Sequence, residues 1–469
     1  MTAPDTLLVN AVVVPMDGTR RIIDRGHVLV RDGHIAAVGE GRPSTAPEGC
    51  KTIEMDGAIL IPGLIDLHLH AGHGLTKGLG GSAAAWMGAV GDIYARHGDA
   101  EFWGADAALQ SLERLRGGVT MAVPFFGGGD NVMRSHDPAC ADAHLREIER
   151  AGLREVLVLG VDRPPFPRAF RDWDGGRPLE RAVSLADQIA GADETIRRWS
   201  GAAGGRIALA VSAPVGGQAA YDAADAAVRR DVAQGVGDAW ALSRRHGLRF
   251  VQDGHRDGTI AFMADAFGLF DRTSVLAHCI DLTEGDIETL QRTGAAVAYT
   301  PSSLMSVFGT CPAPRLRRLG LRVGLGTDGP APDRPLDMFR TMFMAHRVQA
   351  IAARDETVLD AWDMLGMATC DAARALGLEG EIGSIAVGLR ADIVAVQARA
   401  AHLWPPDQPV GRLAFYANAA DVGFVMVDGR ILMQDRSVLA IDPEAVLDRA
   451  ADAYARMLER AGLAGALSR

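Results

Sequence analysis

Eight short apolar runs, separated by longer segments of helical periodicity, constrain the fold of this chain more than any other feature. The runs cover 64–70, 119–125, 156–161, 207–213, 248–252, 274–278, 295–299 and 322–328. This alternation is typical of βα units and a parallel sheet. Eight such units predict an α/β fold of the (β/α)₈ TIM barrel type. An open doubly wound sheet is the alternative, which the absence of G-x-G-x-x-G after the first run disfavours.

The two ends of the chain have a different pattern of apolar and polar residues. Residues 1–60 alternate apolar and polar positions between turn signals, and the same pattern returns between 384 and 440. Both stretches predict short antiparallel strands. We therefore expect one small β-sandwich domain built from 1–60 plus 384–440, a barrel over 61–383 and a C-terminal helix within 441–469.

Charge and cysteine usage exclude several classes of partner. Lys+Arg 48 against Asp+Glu 59 gives a net charge of −11 without a basic stripe, so we expect no nucleic acid. The five cysteines form no C-x-x-C pair, which argues against a disulfide framework. No apolar run approaches the ~18 residues that span a bilayer, and the start does not resemble an export signal. We expect a cytoplasmic homo-oligomer that acts on a small molecule, without a membrane.

Polar residues at the ends of the eight runs predict the functional site, since barrel enzymes place their active sites at the carboxyl ends of the strands. His68 and His70 end the first run, and strand alternation points both imidazoles to one face. The other runs contribute Gln252 with His255 close behind it, His278 and Asp328. Imidazole, carboxylate and amide oxygen together predict a site for one divalent metal ion, with Fe²⁺, Co²⁺ or Mn²⁺ competing with Zn²⁺.

Loop residues near these strand ends are candidates for substrate binding. His73 and Lys77 follow the first run, Arg163 follows the third, and Ser302 lies in T-P-S-S after the seventh. Each also has a simpler interpretation, because lysine and arginine are most often solvated charges and a buried histidine often has only a packing role.

The segments I-P-G-L-I-D-L-H-L-H, A-H-C-I-D-L-T-E, T-P-S-S and G-T-D-G occur in this order and together resemble the metal-dependent amidohydrolase superfamily. The resemblance covers nearly the whole chain. It implies His68, His70 and Asp328 as metal ligands, with Asp328 also accepting the proton of the attacking water. It further implies that His278 lies beside the metal or the substrate.

The fifth run departs from the cytosine deaminase and triazine hydrolase branch of that superfamily. That branch usually has a histidine ligand there, with a glutamate three residues on that moves protons to the leaving nitrogen. The sequence has Gln252 and His255 at this spacing. This departure, with H-L-H-A-G-H-G-L-T-K-G-L-G, most resembles the phenylurea hydrolase and molinate hydrolase subgroup.

The resemblance therefore predicts hydrolysis of a C–N or C–S bond in a urea, carbamate, thiocarbamate or amide. Asp328 would be the general base, and His255 and His278 candidates to stabilise the oxyanion or to protonate the departing amine. Two alternatives stay open. One is a deaminase or chlorohydrolase of a nitrogen heterocycle, and the other is a relative that binds metal or ligand without catalysis.

Overall fold

The computed structural model describes residues 5–43, 49–79, 83–128, 132–174, 176–303, 308–332 and 334–464. It contains two sheets of interest for function, an eight-stranded parallel sheet and a nine-stranded sheet formed by the two chain ends. A separate two-stranded hairpin, Arg168–Asp174 with Arg177–Val183, follows the third strand of the parallel sheet.

The parallel sheet is a barrel. Its strands follow one another in chain order, and each pairs in parallel with the next. The backbone N–H of Asp328 donates to the carbonyl of His68 at 2.8 Å, which joins the last strand segment to the first. The eight strands are Leu64–His70, Val119–Phe125, Arg154–Gly160, Ile207–Ser212, Arg249–Gln252, Ser274–Ala277, Ala296–Tyr299 and Val323–Leu325. Each coincides with one of the eight predicted runs, which confirms the predicted barrel.

Helices cover the outside of the barrel, and several have the ends that their sequences predict. Asp99 caps the helix Ala100–Gly117 by accepting from Phe102 N, and Gly118 ends it with a φ of +75°. The α-helices of six or more residues are Ala83–Asp92, Ala100–Gly117, Pro138–Ala151, Leu185–Trp199, Gln218–Ala223, Ala226–Arg245, Thr259–Phe267, Glu284–Thr293, Ala313–Arg318, Met338–Ala353, Ala361–Met367, Cys370–Ala375, Pro409–Phe415 and Pro443–Arg460. Shorter helical segments are Ile93–His97, Ala202–Gly205, Pro301–Ser303, Ala401–Leu403 and Ala419–Asp421. Among the described residues, no helix has the length and apolar character needed to cross a membrane.

The chain ends form one further sheet. Its strands are Thr6–Val13, Ile23–Arg31, His34–Glu40, Lys51–Glu54, Ile59–Pro62, Ile393–Val396, Val422–Val427, Arg430–Gln434 and Ser437–Val438. Ile59–Pro62 pairs antiparallel with Ile393–Val396 and so joins the N-terminal strands to the C-terminal ones. Val28 and Ile35 share a core with Phe424 and Met426. The two chain ends therefore build a single β-rich domain, as predicted, although hydrogen bonds connect its strands into one sheet.

Two helices near the C-terminus pack against helices of the barrel. The helix Pro409–Phe415 lies between two strands of the β-domain but packs against the helices Met338–Ala353 and Ala361–Met367. The helix Pro443–Arg460 packs on Ala100–Gly117, where Arg449 binds Glu101 at 2.8 Å.

Candidate active site

Three imidazoles and two carboxylates converge at the carboxyl end of the barrel. His68 Nε2 lies 3.4 Å from Asp253 Oδ1 and 3.7 Å from Asp328 Oδ1. His70 Nε2 lies 3.6 Å from Asp253 Oδ2 and 3.2 Å from Asp328 Oδ1. His278 Nε2 lies 2.9 Å from Asp253 Oδ1. We call these five residues the His/Asp cluster.

Surrounding groups fix the orientation of two of the imidazoles. His70 Nδ1 lies 2.9 Å from the carbonyl of Gly127, and a ring nitrogen donates to such an oxygen. His278 Nδ1 lies 2.8 Å from Thr300 Oγ1 and 3.2 Å from Ser303 Oγ. In both rings Nε2 is therefore the nitrogen that faces the cluster. His278 follows the interior residue Ala277, and its φ of +68° breaks the strand alternation that would otherwise direct it outward.

The electrostatics of the cluster suit a cation. Burial lowers the pKa of His68 to about 4, against the influence of the nearby carboxylates. Burial alone would raise the pKa of Asp253, but the charges of His68 and His278 outweigh it and lower that pKa. The pKa of Asp328 is likewise held well below its usual value by the hydrogen bond from His70, although burial opposes this. At neutral pH the cluster thus presents ionised carboxylates and the neutral imidazole of His68, whereas the carboxylates raise the pKa of His70 and of His278 although burial opposes this.

These five groups fit a divalent metal ion. Both ring nitrogens of His68 are buried and have no hydrogen-bond partner among the described residues, which is costly unless another ligand completes them. Two sets of ligand atoms, from His68, His70 and Asp253 and from His68, His278 and Asp328, each lie within 4.8 Å of one another. Ligands about 2.1 Å from one ion in a tetrahedral arrangement are ~3.4 Å apart, close to most nitrogen–oxygen separations in the cluster.

The structure corrects the placement of two predicted residues. Gln252 donates from Nε2 to the carbonyl of Ala213 at 2.8 Å, on the outer side of its strand. His255 is fully buried, with Nε2 3.2 Å from Gln252 Oε1 and Nδ1 3.1 Å from Thr259 Oγ1. Burial lowers the pKa of His255 to about 3, so this ring stays neutral rather than titrating near neutral pH. Neither side chain reaches the cluster.

Asp253 occupies the place that the sequence analysis gave to Gln252. Val251 belongs to the core inside the barrel, whereas Phe250 belongs to the core outside it. Because strand side chains alternate, the next inward position after Val251 is Asp253. The residue three positions beyond Asp253 is Arg256, an exposed side chain that donates to the carbonyl of Phe308. The described cluster therefore contains no glutamate from this strand.

A cavity of about 290 Å³ opens beside the cluster. His73 is the one loop residue among the four predicted substrate-binding candidates that lines it. Lys77 instead binds Glu113 Oε2 at 2.6 Å, and Arg163 donates to the carbonyl of Val215 at 2.6 Å. Ser302 donates to the carbonyl of Thr327 at 2.7 Å, so it supports the backbone next to Asp328.

Arg334 is a further site residue that the sequence did not indicate. Its guanidinium Nη1 lies 2.7 Å from Asp328 Oδ2, and the side chain is buried in the cavity wall. The contact leaves Oδ1 of Asp328 as the oxygen that faces His68 and His70. With 48 basic residues, nearly all arginines, composition gave no means of selecting this one.

The barrel and the His/Asp cluster define a metal-dependent hydrolase. A model of the amidohydrolase family matches residues 59–432, so the chain belongs to the amidohydrolase family, whose hydrolases act on carbon–nitrogen bonds other than peptide bonds. This membership supports the expected divalent metal cofactor and an enzyme rather than a non-catalytic binding protein.

The similar proteins are deaminases and a chlorohydrolase. The chain is 33% identical over 464 residues to a 5-methylthioadenosine/S-adenosylhomocysteine deaminase of Desulforudis audaxviator, covering 97% of this chain and 99% of the relative. A zinc-bound adenosine deaminase from Xanthomonas campestris matches with a TM-score of 0.80 and 25% identity, covering 97% of this chain and 99% of that one. The zinc-bound atrazine chlorohydrolase of Arthrobacter aurescens shares the fold, with a TM-score of 0.77 at 18% identity over 96% of this chain and 100% of that one. The deaminases among them match the heterocycle alternative of the sequence analysis and do not support the finer placement in the phenylurea hydrolase and molinate hydrolase subgroup.

Proposed function

We propose that this enzyme hydrolyses the bond between a ring carbon and an exocyclic amino nitrogen of an aminated nitrogen heterocycle. The observation that carries this proposal is the 33% identity to a deaminase over 97% of the chain. The cavity beside the cluster supports it, because Trp86, Tyr94 and Val90 give its wall the flat and apolar surfaces that a planar ring needs. This is the alternative that the sequence analysis ranked second.

The main argument for the first prediction, hydrolysis of a urea or carbamate, has lost its basis. The expectation of urea or carbamate hydrolysis rested on Gln252 and His255 as departures within the active site. Both side chains lie outside the cluster, where they bond to each other. The placement in the phenylurea hydrolase and molinate hydrolase subgroup has therefore lost the two active-site residues on which it rested.

Asp328 is the residue that we assign to proton transfer. A metal held by His68, His70 and the carboxylates would polarise water and lower its pKa toward neutrality. Asp328 is ionised at neutral pH and directs Oδ1 toward His68 and His70, so this oxygen accepts the proton of the attacking water. Oδ1 accepts from Gly329 N at 2.6 Å and Oδ2 accepts from Arg334, but only Oδ1 faces the imidazoles, so Oδ1 then delivers the proton to the leaving nitrogen.

Asp253 and His278 contact each other within the cluster. Their 2.9 Å contact and the Thr300 contact of His278 form a chain of hydrogen bonds that leads away from the cavity. His278 also lines the cavity, and Nε2 is its inward nitrogen, so we assign it a contact with the substrate next to the reacting carbon.

One observation favours a second candidate function. Arg256 replaces a carboxylic acid three residues after the inward residue of the fifth strand, and a ring nitrogen normally needs such an acid. Hydrolysis of a urea, carbamate, thiocarbamate or amide depends less on such an acid, because the negative charge that develops on the carbonyl oxygen requires no ring protonation.

A substrate panel tests the two candidates. The metal-loaded enzyme is assayed for ammonia release from adenosine, 5′-deoxyadenosine, aminopyrimidines and aminotriazines, and for amine or thiol release from aryl ureas and thiocarbamates. Asp328→Asn serves as the inactive control. We expect the highest kcat/KM for an aminated heterocycle, and faster cleavage of the ureas or thiocarbamates would reject the proposal in favour of the second candidate.

A further inference from the structure

The cavity beside the His/Asp cluster has few polar groups that are available to a ligand. Trp86 Nε1 donates to the carbonyl of Thr76 at 2.9 Å, and the Tyr94 hydroxyl lies 3.3 Å from Thr76 Oγ1. Both aromatic residues therefore offer only their apolar surfaces to the cavity. Met87, Val90 and Val132 complete the apolar wall.

His73 is the exception on this wall. It is 4% exposed, and both of its ring nitrogens lack a hydrogen-bond partner within the part of the chain that the structure describes. Burying a polar group without a partner destabilises the folded protein, so an imidazole in this position calls for a ligand that completes it. His73 also lines the cavity, which brings a substrate within its reach.

Packing holds the His73 ring in a single orientation. The ring stacks on His70 at 4.5 Å between centroids and meets the edge of Trp86 at 4.6 Å. A β-carbon at position 329 would lie 1.7 Å from His73 Nδ1, so Gly329 leaves the space that this edge of the ring occupies. Nε2, which is buried as well, is consequently the nitrogen that is left for a ligand at the cavity wall.

We propose that His73 is a specificity-determining residue that donates a hydrogen bond from Nε2 to a ring nitrogen or carbonyl oxygen of the substrate. This rests on the proposed function, since an aminated heterocycle carries such an acceptor close to its reacting carbon. The apolar wall then takes the uncharged remainder of the ring system. The contact is a binding contact beside the cluster, and His73 takes no part in proton transfer.

Two substitutions separate recognition from packing. His73→Phe keeps a planar ring against His70 and Gly329 but has no hydrogen-bonding nitrogen, whereas His73→Gln keeps a donor. For the best substrate of the wild-type enzyme, we expect His73→Phe to lower kcat/KM by about 10- to 100-fold, mainly through KM, because one buried hydrogen bond is lost. We expect His73→Gln to recover most of the loss. Elemental analysis and the thermal midpoint serve as controls that the metal and the fold are intact.

A second measurement does not depend on turnover. In protein labelled with ¹⁵N-histidine, the Nε2 signal that is missing from His73→Gln belongs to His73, and it should shift when an unreactive substrate analogue binds to the wild-type enzyme. Calorimetry should give a Kd for this analogue about 10-fold or more weaker in His73→Phe. An unshifted signal together with an unchanged Kd and KM would show that His73 only packs.

The two proposals fail in different ways. The proposed function fails if the wild-type enzyme releases no ammonia from any aminated heterocycle. The inference about His73 fails if His73→Phe keeps the wild-type KM for whichever substrate the wild-type enzyme turns over.

Discussion

The two ends of the barrel both bury charged residues, but in different arrangements. At the amino end, Arg154 lies 2.6 Å from Asp392 and 2.6 Å from Asp428, which joins the barrel to the β-domain. At the carboxyl end, the separations between the imidazoles of His68 and His70 and the two carboxylates are 3.2–3.7 Å, and neither ring nitrogen of His68 has a partner. Charges at the amino end satisfy one another, whereas the imidazoles of His68 and His70 at the carboxyl end are separated from the carboxylates by enough space for an additional group.

This contrast shows how a structural ion pair differs from a ligand-binding site made of similar residues. A direct pair at hydrogen-bond distance leaves no room between its members and contributes to the fold. Converging side chains that remain further apart keep unsatisfied bonding capacity, which a cation would complete.

The first prediction concerns the ligands. His68→Ala and Asp253→Ala should each lower metal content and reduce kcat/KM by about 10³-fold or more, because each removes a group that the cation needs. Gln252→Ala is the matched control on the same strand and should retain the metal, since Gln252 faces away from the cluster. Elemental analysis of the three variants beside the wild type measures this, and full metal content in Asp253→Ala would remove Asp253 from the site.

The same analysis counts the ions. We expect one metal ion per chain. Two-metal members of the superfamily that the sequence resembles bridge their two ions with a carboxylated lysine from the fourth barrel strand. The fourth strand, Ile207–Ser212, contains no lysine, and the chain has only Lys51 and Lys77. A stoichiometry near two ions at full activity would contradict this expectation.

The second prediction separates proton transfer from metal binding. Asp328→Asn should lower kcat by about 10²–10⁴-fold, the usual contribution of general acid–base catalysis, because an amide cannot accept the proton of the attacking water. The variant should keep a substantial part of its metal, since four other groups of the cluster remain. Steady-state kinetics on samples of known metal content decide the matter, and an active Asp328→Asn enzyme would exclude Asp328 as the base.

The third prediction addresses the amino end of the barrel. Arg154→Met should destabilise the protein by about 3–5 kcal/mol, because it leaves Asp392 buried without its partner. Turnover per folded, metal-loaded molecule should stay close to that of the wild type, since this pair lies at the opposite end from the cluster. Arg390→Met is a control from a more exposed arginine that also contacts Asp428. A loss of metal in Arg154→Met would show that the two ends are not independent.

The sequence predicted the barrel because eight apolar runs and their spacing are local properties. It also placed His68, His70, His278 and Asp328 together, since the carboxyl ends of barrel strands converge. It could not assign Asp253, because the run 248–252 has a polar residue on each face, Arg249 and Gln252, so its alternation does not show which face points into the barrel. The Arg154 network depends on contacts between distant segments, and Arg334 reaches Asp328 six residues away through a loop conformation, so no local pattern encodes either of them.

The last prediction concerns His255, whose role changed most between sequence and structure. The sequence analysis made it a candidate proton donor, but its ring is buried behind the fifth strand with Gln252 and Thr259 as partners. His255→Gln should therefore change kcat by less than about threefold, well below the usual general acid–base contribution. A loss of 10²-fold or more with the metal retained would restore His255 to the mechanism.

The stability of the fold should depend on His255 in a defined range of pH. Burial lowers its pKa from an ordinary value of 6.5 to about 3, so the unfolded chain binds a proton between these values and the folded protein does not. The stability that the neutral ring contributes is thus complete above pH 6.5 and is lost as the pH falls toward 3. Between pH 6.5 and pH 5 the loss amounts to about 2 kcal/mol, at 1.36 kcal/mol for each unit. Thermal midpoints of metal-free wild type and His255→Gln at pH 7.5 and pH 5 should therefore approach each other at the lower pH, because glutamine does not titrate. Parallel midpoints would mean that His255 is accessible to protons in the folded protein, contrary to its place behind the fifth strand.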